Sequence, residues 1–561
     1  MYYIVGILLL LGILIFIHEF GHFYVAKLCG MKVQTFSIGM GHKIFRFVRG
    51  ETEYVLSWIP FGGYVKILGQ DPREEVAPEE QHRSFSKMPI WKRFAVVIAG
   101  PAANFILAFF VFWALFAKGF PSPSATIHFV HPGSPAQVAG IQAGDKILHI
   151  KVGDKEAEVR ELQDLQRFLR THTATSAVLD IDRDGIRQQI TVDAIQGKLT
   201  DPMTGLDRES LTMPGIEFQS YPPIYTAAKG SELEKLIPDP FFVIDSLEFG
   251  ETKKPELSSS YEVQKAFAAA LAEKQTLKLS VRAISLEADS KISEPRTVEL
   301  SAENLSFSEF GFIPAHLLIT QVLEGSAAYT LGLQKGDLIQ ELNGTPMWTF
   351  SQFRNQLQEF AAKDENLTLR WLRDGKTMQG VFIPQHIDRE NPVTQLKEKK
   401  FQLGAMFVGF SEASFEKVKA KGFLDGISLA WDKTIAMSGS IVESFSLLIT
   451  GKVSMKAMGG PVMIGKIAGD SLKLGMDYFL KMLAFISLNL AIMNLIPLPV
   501  LDGGHILLFM IEGITRRPMP MKFVEIWATS GFFLLISLAL FVTFNDIVKL
   551  NVFAPIIGLF K

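Results

Sequence analysis

The sequence predicts a polytopic α-helical membrane protein: four spans, with a large α+β segment inserted between the second and third. Three observations carry this. Mean hydropathy is +0.22 and 20% of residues are charged, below the roughly 25% of soluble globular chains, so some stretches must be nearly free of charge. Residues 1–27, 94–117, 478–502 and 523–543 are such stretches, each near the ~20 residues that cross a bilayer. A glycine-rich pattern then recurs within the intervening outer segment. The net charge of -2 excludes a basic nucleic-acid-binding protein. The one cysteine, Cys29, excludes a disulfide framework and leaves metal chemistry to histidine and carboxylate.

The first span carries no charge from Tyr3 to Ile17 and continues through His18, Glu19 and His22 to Lys27. No basic segment precedes it and no A-x-A site follows, so it reads as a span rather than a cleaved signal. The 28–93 loop holds Lys32, Lys43, Arg46, Arg49, Lys66, Arg73, Arg83, Lys87, Lys92 and Arg93, which puts it in the cytoplasm. Arg516, Arg517 and Lys522 put the connection between the last two spans on the same side, so residues 118–477 face outward. Within the loop, Tyr54 to Ser57 and Tyr64 to Leu68 flank Pro60-Phe61-Gly62-Gly63 as strand, turn and strand, a hairpin able to pair with an extended chain. Residues 422–470 alternate apolar positions with Asp425, Asp432, Lys433 and Glu443 and read as an amphipathic segment at the outer membrane surface.

In the outer segment Gly133, Ser134, Ala136, Gly140, Gly144 and Asp145 recur as Gly325, Ser326, Ala328, Gly332, Gly336 and Asp337, and Arg183-Asp184-Gly185 recurs as Arg373-Asp374-Gly375. Each unit reads as a strand, a turn into a short helix, a Gly-Asp turn, a strand, a second helix and a strand pair closed by Asp-Gly. These units, 124–196 and 306–385, resemble PDZ domains, and a fainter one at 216–302, without the Gly-Asp turn, resembles a degenerate copy. They suit peptide C-termini, the product of an upstream protease, or a steric gate that binds neither.

His18-Glu19-Phe20-Gly21-His22 has the spacing H-E-x-x-H, which on a helix sets two imidazoles on one face about 6 Å apart along the axis. Ionisable groups in an apolar span cost a few kcal/mol each, so they imply function or compensating partners. A catalytic zinc site needs three protein ligands. The third span ends in Asn494-Leu-Ile-Pro497-Leu-Pro499-Val-Leu-Asp502, and Asp502 is its one carboxylate, hence the best third ligand; His505 is the competitor. The two prolines break the helix, which is tolerated at membrane depth only inside a bundle or beside water.

HEFGH in a first span, NLIPLPVLDG at a third and PDZ-like units between resemble the site-2 protease family of intramembrane zinc metalloproteases. The resemblance extends to Gly100-Pro101-Ala102-Ala103-Asn104, Gly460-Pro461-Val462 and Phe61-Gly62-Gly63-Tyr64-Val65-Lys66, and within the family it points to the regulator of sigma-E branch. It implies one Zn2+ held by His18, His22 and Asp502, with Glu19 as general base. It implies that the hairpin with Gly62, Gly63 and Tyr64 dips into the membrane beside the site, and that Asn494, near Pro497 and Pro499, hydrogen-bonds the substrate. The implied substrate is a single-pass membrane protein, an anti-sigma factor or a remnant signal peptide, cut in the bilayer of a bacterial inner membrane with the PDZ-like units periplasmic. A membrane-anchored PDZ scaffold with a structural metal site is the alternative reading.

Overall fold

The computed structural model describes residues 2–71, 74–200, 207–249, 252–254, 257, 259–272, 276–284, 293–300, 310–363, 366–390, 395, 397–408, 415–517 and 519–549. Arg73, counted above for the side of the loop, lies outside them, as do residues 285–292 and 301–309 of the repeat region. The chain divides into two compact units, one of residues 1–120 and 417–561 with 393–395, the other of residues 121–392 and 396–416.

The first unit is a helix bundle: α1 (Tyr2–Leu28), α2 (Ile90–Lys118), α3 (Phe423–Ile449), α4 (Pro461–Leu474), α5 (Met476–Leu495), α6 (Asp502–Thr515) and α7 (Met521–Lys549). Among the described residues, α1, α2, α5 and α7 are the four helices long and apolar enough to cross a membrane. Leu10 and Leu14 of α1, Ala108 and Phe112 of α2, and Ala484 and Leu488 of α5 share one buried core, while aromatic and aliphatic side chains on the outer faces stay exposed, as lipid contact requires.

Two departures from the sequence reading have local causes. The third span ends at Leu495 rather than running on through 502. Pro497 and Pro499 have no N–H to give an α-helix and force the preceding residues extended, and Ile496 is extended at φ -65°, ψ 135°. The chain folds back and Asp502 opens a new helix, α6. A Cβ at Gly503 or Gly504 would overlap the carbonyl oxygens of Ile496 and Leu498, so only glycine permits this return. The 422–470 region is likewise two helices. Trp431 of α3 sets its ring edge-on to Phe105 and Phe109 at 6.2 and 6.5 Å. The start of α4 is capped by a side chain from another helix: buried Asp546 of α7 accepts the N–H of Gly460 at 2.9 Å and of Met463 at 2.8 Å.

The loop after α1 forms two long strands, β1 (Val33–Arg49) and β2 (Thr52–Ile67). Each kinks at glycines with positive φ, Gly39 and Gly41 in β1 and Gly62 in β2. The pairing register shows the outcome: Phe36 lies opposite both Tyr54 and Val65, and Arg49 lies opposite Thr52. Two kinked strands thus make a four-stranded ribbon in the order 43–49, 52–57, 35–38, 63–66. Among the described residues its last stretch, Gly63 to Lys66, is an edge.

The second unit contains the repeats. Four-stranded sheets of 155–158, 146–152, 176–183 and 186–193, and of 345–346, 338–342, 367–373 and 376–382, have the same strand order. The recurring Gly-Asp and Arg-Asp-Gly motifs meet in space. Buried Asp145 accepts from Arg183 Nε and Nη2, both at 2.7 Å, and from Gln142 N at 2.8 Å. Asp337 accepts from Arg373 Nε and Nη2 and from Gln334 N at the same three distances. Both repeats run past the boundaries drawn from sequence: Ile216–Glu217 returns to pair with Phe129–Val130, and Ala405–Phe407 returns to pair with Ile319–Val322. Those returning strands follow Gly215 and Gly404, at φ +94° and +82°. The middle sheet runs 296–300, 277–283, 242–249, 224–227, 312–314. It takes Phe312–Pro314, which the sequence reading had assigned to the following repeat, because Thr226 pairs with Ile313.

Removing one partner of a buried charge pair strands the other donors and costs about 3 kcal/mol. Asp337→Ala is therefore expected to speed hydrogen exchange across residues 319–342 of the full-length protein in detergent, with the first repeat unaffected. Unchanged exchange would mean the network is dispensable.

Candidate metal centre and active site

On α1 the one-turn spacing of His18 and His22 brings their Nε2 atoms to 3.2 Å, with the rings edge-to-face at 4.8 Å. The break after α5 carries Asp502 into the same space. Its Oδ2 lies 3.3 Å from His18 Nε2 and its Oδ1 3.5 Å from His22 Nε2, with all three side chains less than a fifth exposed. Among the described residues this is the histidine and carboxylate cluster able to hold an ion.

The donor set fits zinc. Ligand bonds of about 2.0–2.2 Å give a tetrahedron with edges of about 3.3–3.6 Å, and the three measured separations are 3.2, 3.3 and 3.5 Å. Lone pairs and a carboxylate facing one another in an apolar interior repel unless a cation or protons lie between them. Asp502 Oδ2 is buried with no hydrogen-bond partner among the described residues, an oxygen left free for a ligand bond.

The close approach of α1 and α2 depends on glycine. A Cβ on Gly21 would overlap the Ala99 carbonyl, and one on Gly100 would overlap His22 Nε2. The second helix also orients the imidazoles. His22 Nδ1 lies 2.8 Å from the Val96 carbonyl, which accepts its N–H and leaves the Nε2 lone pair toward the cluster. His18 Nδ1 lies 3.2 Å from the Asn104 carboxamide.

A cavity of about 640 Å³ opens beside the cluster, lined by Glu19, Gly63, Tyr64, Asn494 and His505 among others. Asn494 Nδ2 lies 3.5 Å from His18 Nε2. Gly63 has no room for a side chain, because a Cβ there would sit 2.9 Å from Glu19 Cγ. The edge of the ribbon therefore lies directly against the would-be base. Gly62, Pro497 and Pro499 are not part of the cavity wall. Gly62, at φ +90°, turns the chain over Met40, and Pro499 packs against Gly531 of α7. Val500, a β-branched residue at φ +75°, is strained in the wall beside Asp502. His505 lines the cavity outside the convergent trio. Farther along the wall Arg93 grips Glu512 at 2.7 and 3.2 Å and lies over the Phe509 ring at 5.0 Å, tying α2 to α6.

The sequence reading did not assign Val96, Gly100, Asn104 or the Arg93 to Glu512 pair to the site. The signal for Asn104 was available: a lone carboxamide in an apolar span asks for a partner at membrane depth.

Residues 6–538 match the profile of peptidase family M50. The chain belongs to that family. The regulator of sigma-E protease RseP of Escherichia coli K12 is 30% identical over 551 residues, covering 96% of this chain and 97% of its own. The regulator of sigma E protease of Haemophilus influenzae is 28% identical over 552 residues, with the same coverage. A Vibrio cholerae protein named as a candidate zinc metalloprotease is 29% identical over 552 residues, covering 97% and 98%. M50 membership and these names make the chain a member of a zinc metalloprotease family associated with regulated intramembrane proteolysis. In this M50 member the donor trio comes from α1 and the start of α6.

Gly100→Ala is expected to push the imidazoles apart and weaken zinc retention at least tenfold, a loss typical of disturbing the groups that orient ligands. Metal analysis of the purified variant checks this; full occupancy at wild-type affinity would show that the helix contact is slack.

Proposed function

We propose that this chain is an intramembrane zinc endopeptidase that cuts a single-pass membrane protein within or next to its spanning segment. The observation that carries the reading is the convergence of His18, His22 and Asp502 at tetrahedral spacing, in a cavity that also takes Glu19. A closed structural zinc site uses four protein ligands; here three donors converge among the described residues, which favours a catalytic centre with an open position.

His18, His22 and Asp502 would hold a zinc ion, which when bound would supply Lewis acidity to polarise a carbonyl and to lower the pKa of a water toward 7. Glu19 takes the proton from the attacking water on a carboxylate oxygen and delivers it to the nitrogen of the leaving amine. Asn494 offers its Nδ2–H to the substrate backbone. A membrane helix hides its carbonyls in its own hydrogen bonds, so cleavage requires local unwinding and replacement partners for the freed groups. The free edge at Gly63 and Tyr64 supplies them by adding the unwound segment as a further strand. Gly62 provides the kink that sets this edge beside Glu19, and Pro497 and Pro499 keep the chain non-helical ahead of Asp502.

The substrate in this reading is an anti-sigma factor already shortened on its outer side, or a remnant signal peptide; relatives named as regulators of sigma E support the choice. The chain then resides in a bacterial inner membrane, with its PDZ-like repeats on the periplasmic side, where they exclude substrates with an intact outer domain or take up the C-terminus left by an earlier cut.

Glu19→Gln keeps the shape of the side chain and removes its basicity. It is expected to retain zinc while losing about 10²–10⁴-fold in cleavage of labelled single-span peptides in proteoliposomes. Equal cleavage by wild type and variant would end the assignment.

A further inference from the structure

The contact between α2 and His18 carries a consequence for how the site is built. Asn104 is fully buried. Its main-chain carbonyl accepts from Ser487 Oγ of α5 at 2.7 Å, which pins this turn of α2. Its carboxamide nitrogen, Nδ2, is placed 3.2 Å from His18 Nδ1, while the oxygen at the other end, Oδ1, finds no partner among the described residues. A buried polar atom without a partner costs about 1–3 kcal/mol, which an apolar side chain of similar size would avoid. The group is held there for its one contact.

Nitrogen and oxygen of a carboxamide are nearly isosteric, so the chemistry of the partner decides which end faces the ring. With the amide nitrogen toward His18, as it is placed, Nδ1 is the acceptor and the ring proton sits on Nε2, aimed at His22 Nε2 3.2 Å away and at Asp502. If the oxygen faces His18, Nδ1 carries the proton and the Nε2 lone pair points into the trio. His22 is already arranged in that second way, through the Val96 carbonyl. We propose that Asn104 is a positioning residue: its carboxamide oxygen accepts the Nδ1–H of His18 and fixes the tautomer that presents Nε2 to a metal ion. Each imidazole is then oriented by one oxygen of α2, a main-chain carbonyl for His22 and a side-chain carbonyl for His18. The inference rests on the zinc reading of the trio.

The test separates donor from acceptor. Asn104→Asp supplies only acceptor oxygens, and Asn104→Leu supplies neither. Full-length proteins in detergent are titrated with zinc against a chelator of known affinity. Asn104→Leu is expected to bind about 10–100-fold more weakly, and Asn104→Asp to stay at or above wild-type affinity. Wild-type affinity in Asn104→Leu overturns the proposal, as does a loss in Asn104→Asp equal to that in Asn104→Leu, since an acceptor rescues only a ring that donates. A second measurement needs no variant at this position. With 15N-histidine label in the zinc-loaded wild type, and His18 assigned by its absence in His18→Gln, the His18 proton is expected on Nδ1, hydrogen-bonded and slow to exchange; rapid exchange with water overturns the proposal even if Asn104→Leu does not fold. A wild type that takes up no zinc removes the zinc reading and this inference together, whereas zinc uptake indifferent to both substitutions removes this inference alone.

Discussion

Two imidazole nitrogens and a carboxylate that repel one another when unbridged are held about 3.3 Å apart inside an apolar bundle, and much of the membrane unit can be understood as what it takes to keep them there. Desolvated like-polarity groups spread apart unless packing prevents it. The packing here is backbone against backbone. Gly21 and Gly100 bring α1 and α2 into contact, and Gly503 and Gly504 let the Asp502 turn fold on the end of α5. Small residues are the usual means of such approach in membranes, where lipid gives helices no hydrophobic reason to associate.

The same economy governs the helix break. A continuous third span would point Asp502 wherever the helical period put it. Ending the helix at Leu495 and restarting it at Asp502 detaches the carboxylate from that period, and the strained Val500 and the contact of Pro499 with Gly531 hold the turn in place. The exposed backbone of this turn lies beside a cavity, the one setting in which irregular chain is tolerated at membrane depth. The edge of the kinked ribbon reaches the same cavity from the loop after α1, so a strand edge and a candidate base share one wall.

Legibility in the sequence followed the range of the forces involved. The four apolar helices were readable because lipid demands a long charge-free run, and the paired repeats because Gly-Asp and Arg-Asp-Gly serve one buried network twice. His18, Glu19 and His22 stood out because their spacing is local to one helix. What was not readable depends on distant backbone meeting: the helix that begins at Asp502, the folding of β1 and β2 into four paired stretches through Gly39, Gly41 and Gly62, the loss of Phe312–Pro314 to the middle sheet, and the late return of 216–217 and 405–407. Val96 was invisible for the same reason, since a main-chain carbonyl becomes informative only when the ring it serves is seen beside it.

The central claim is that His18, His22 and Asp502 grip one zinc ion. X-ray absorption at the zinc edge of the purified full-length protein tests it without recourse to activity. The account predicts one zinc per chain with nitrogen and oxygen neighbours alone at about 2.0–2.2 Å, and loss of that shell in Asp502→Ala. A sulfur neighbour near 2.3 Å, which would implicate Cys29, or an unchanged shell after Asp502→Ala, would contradict it.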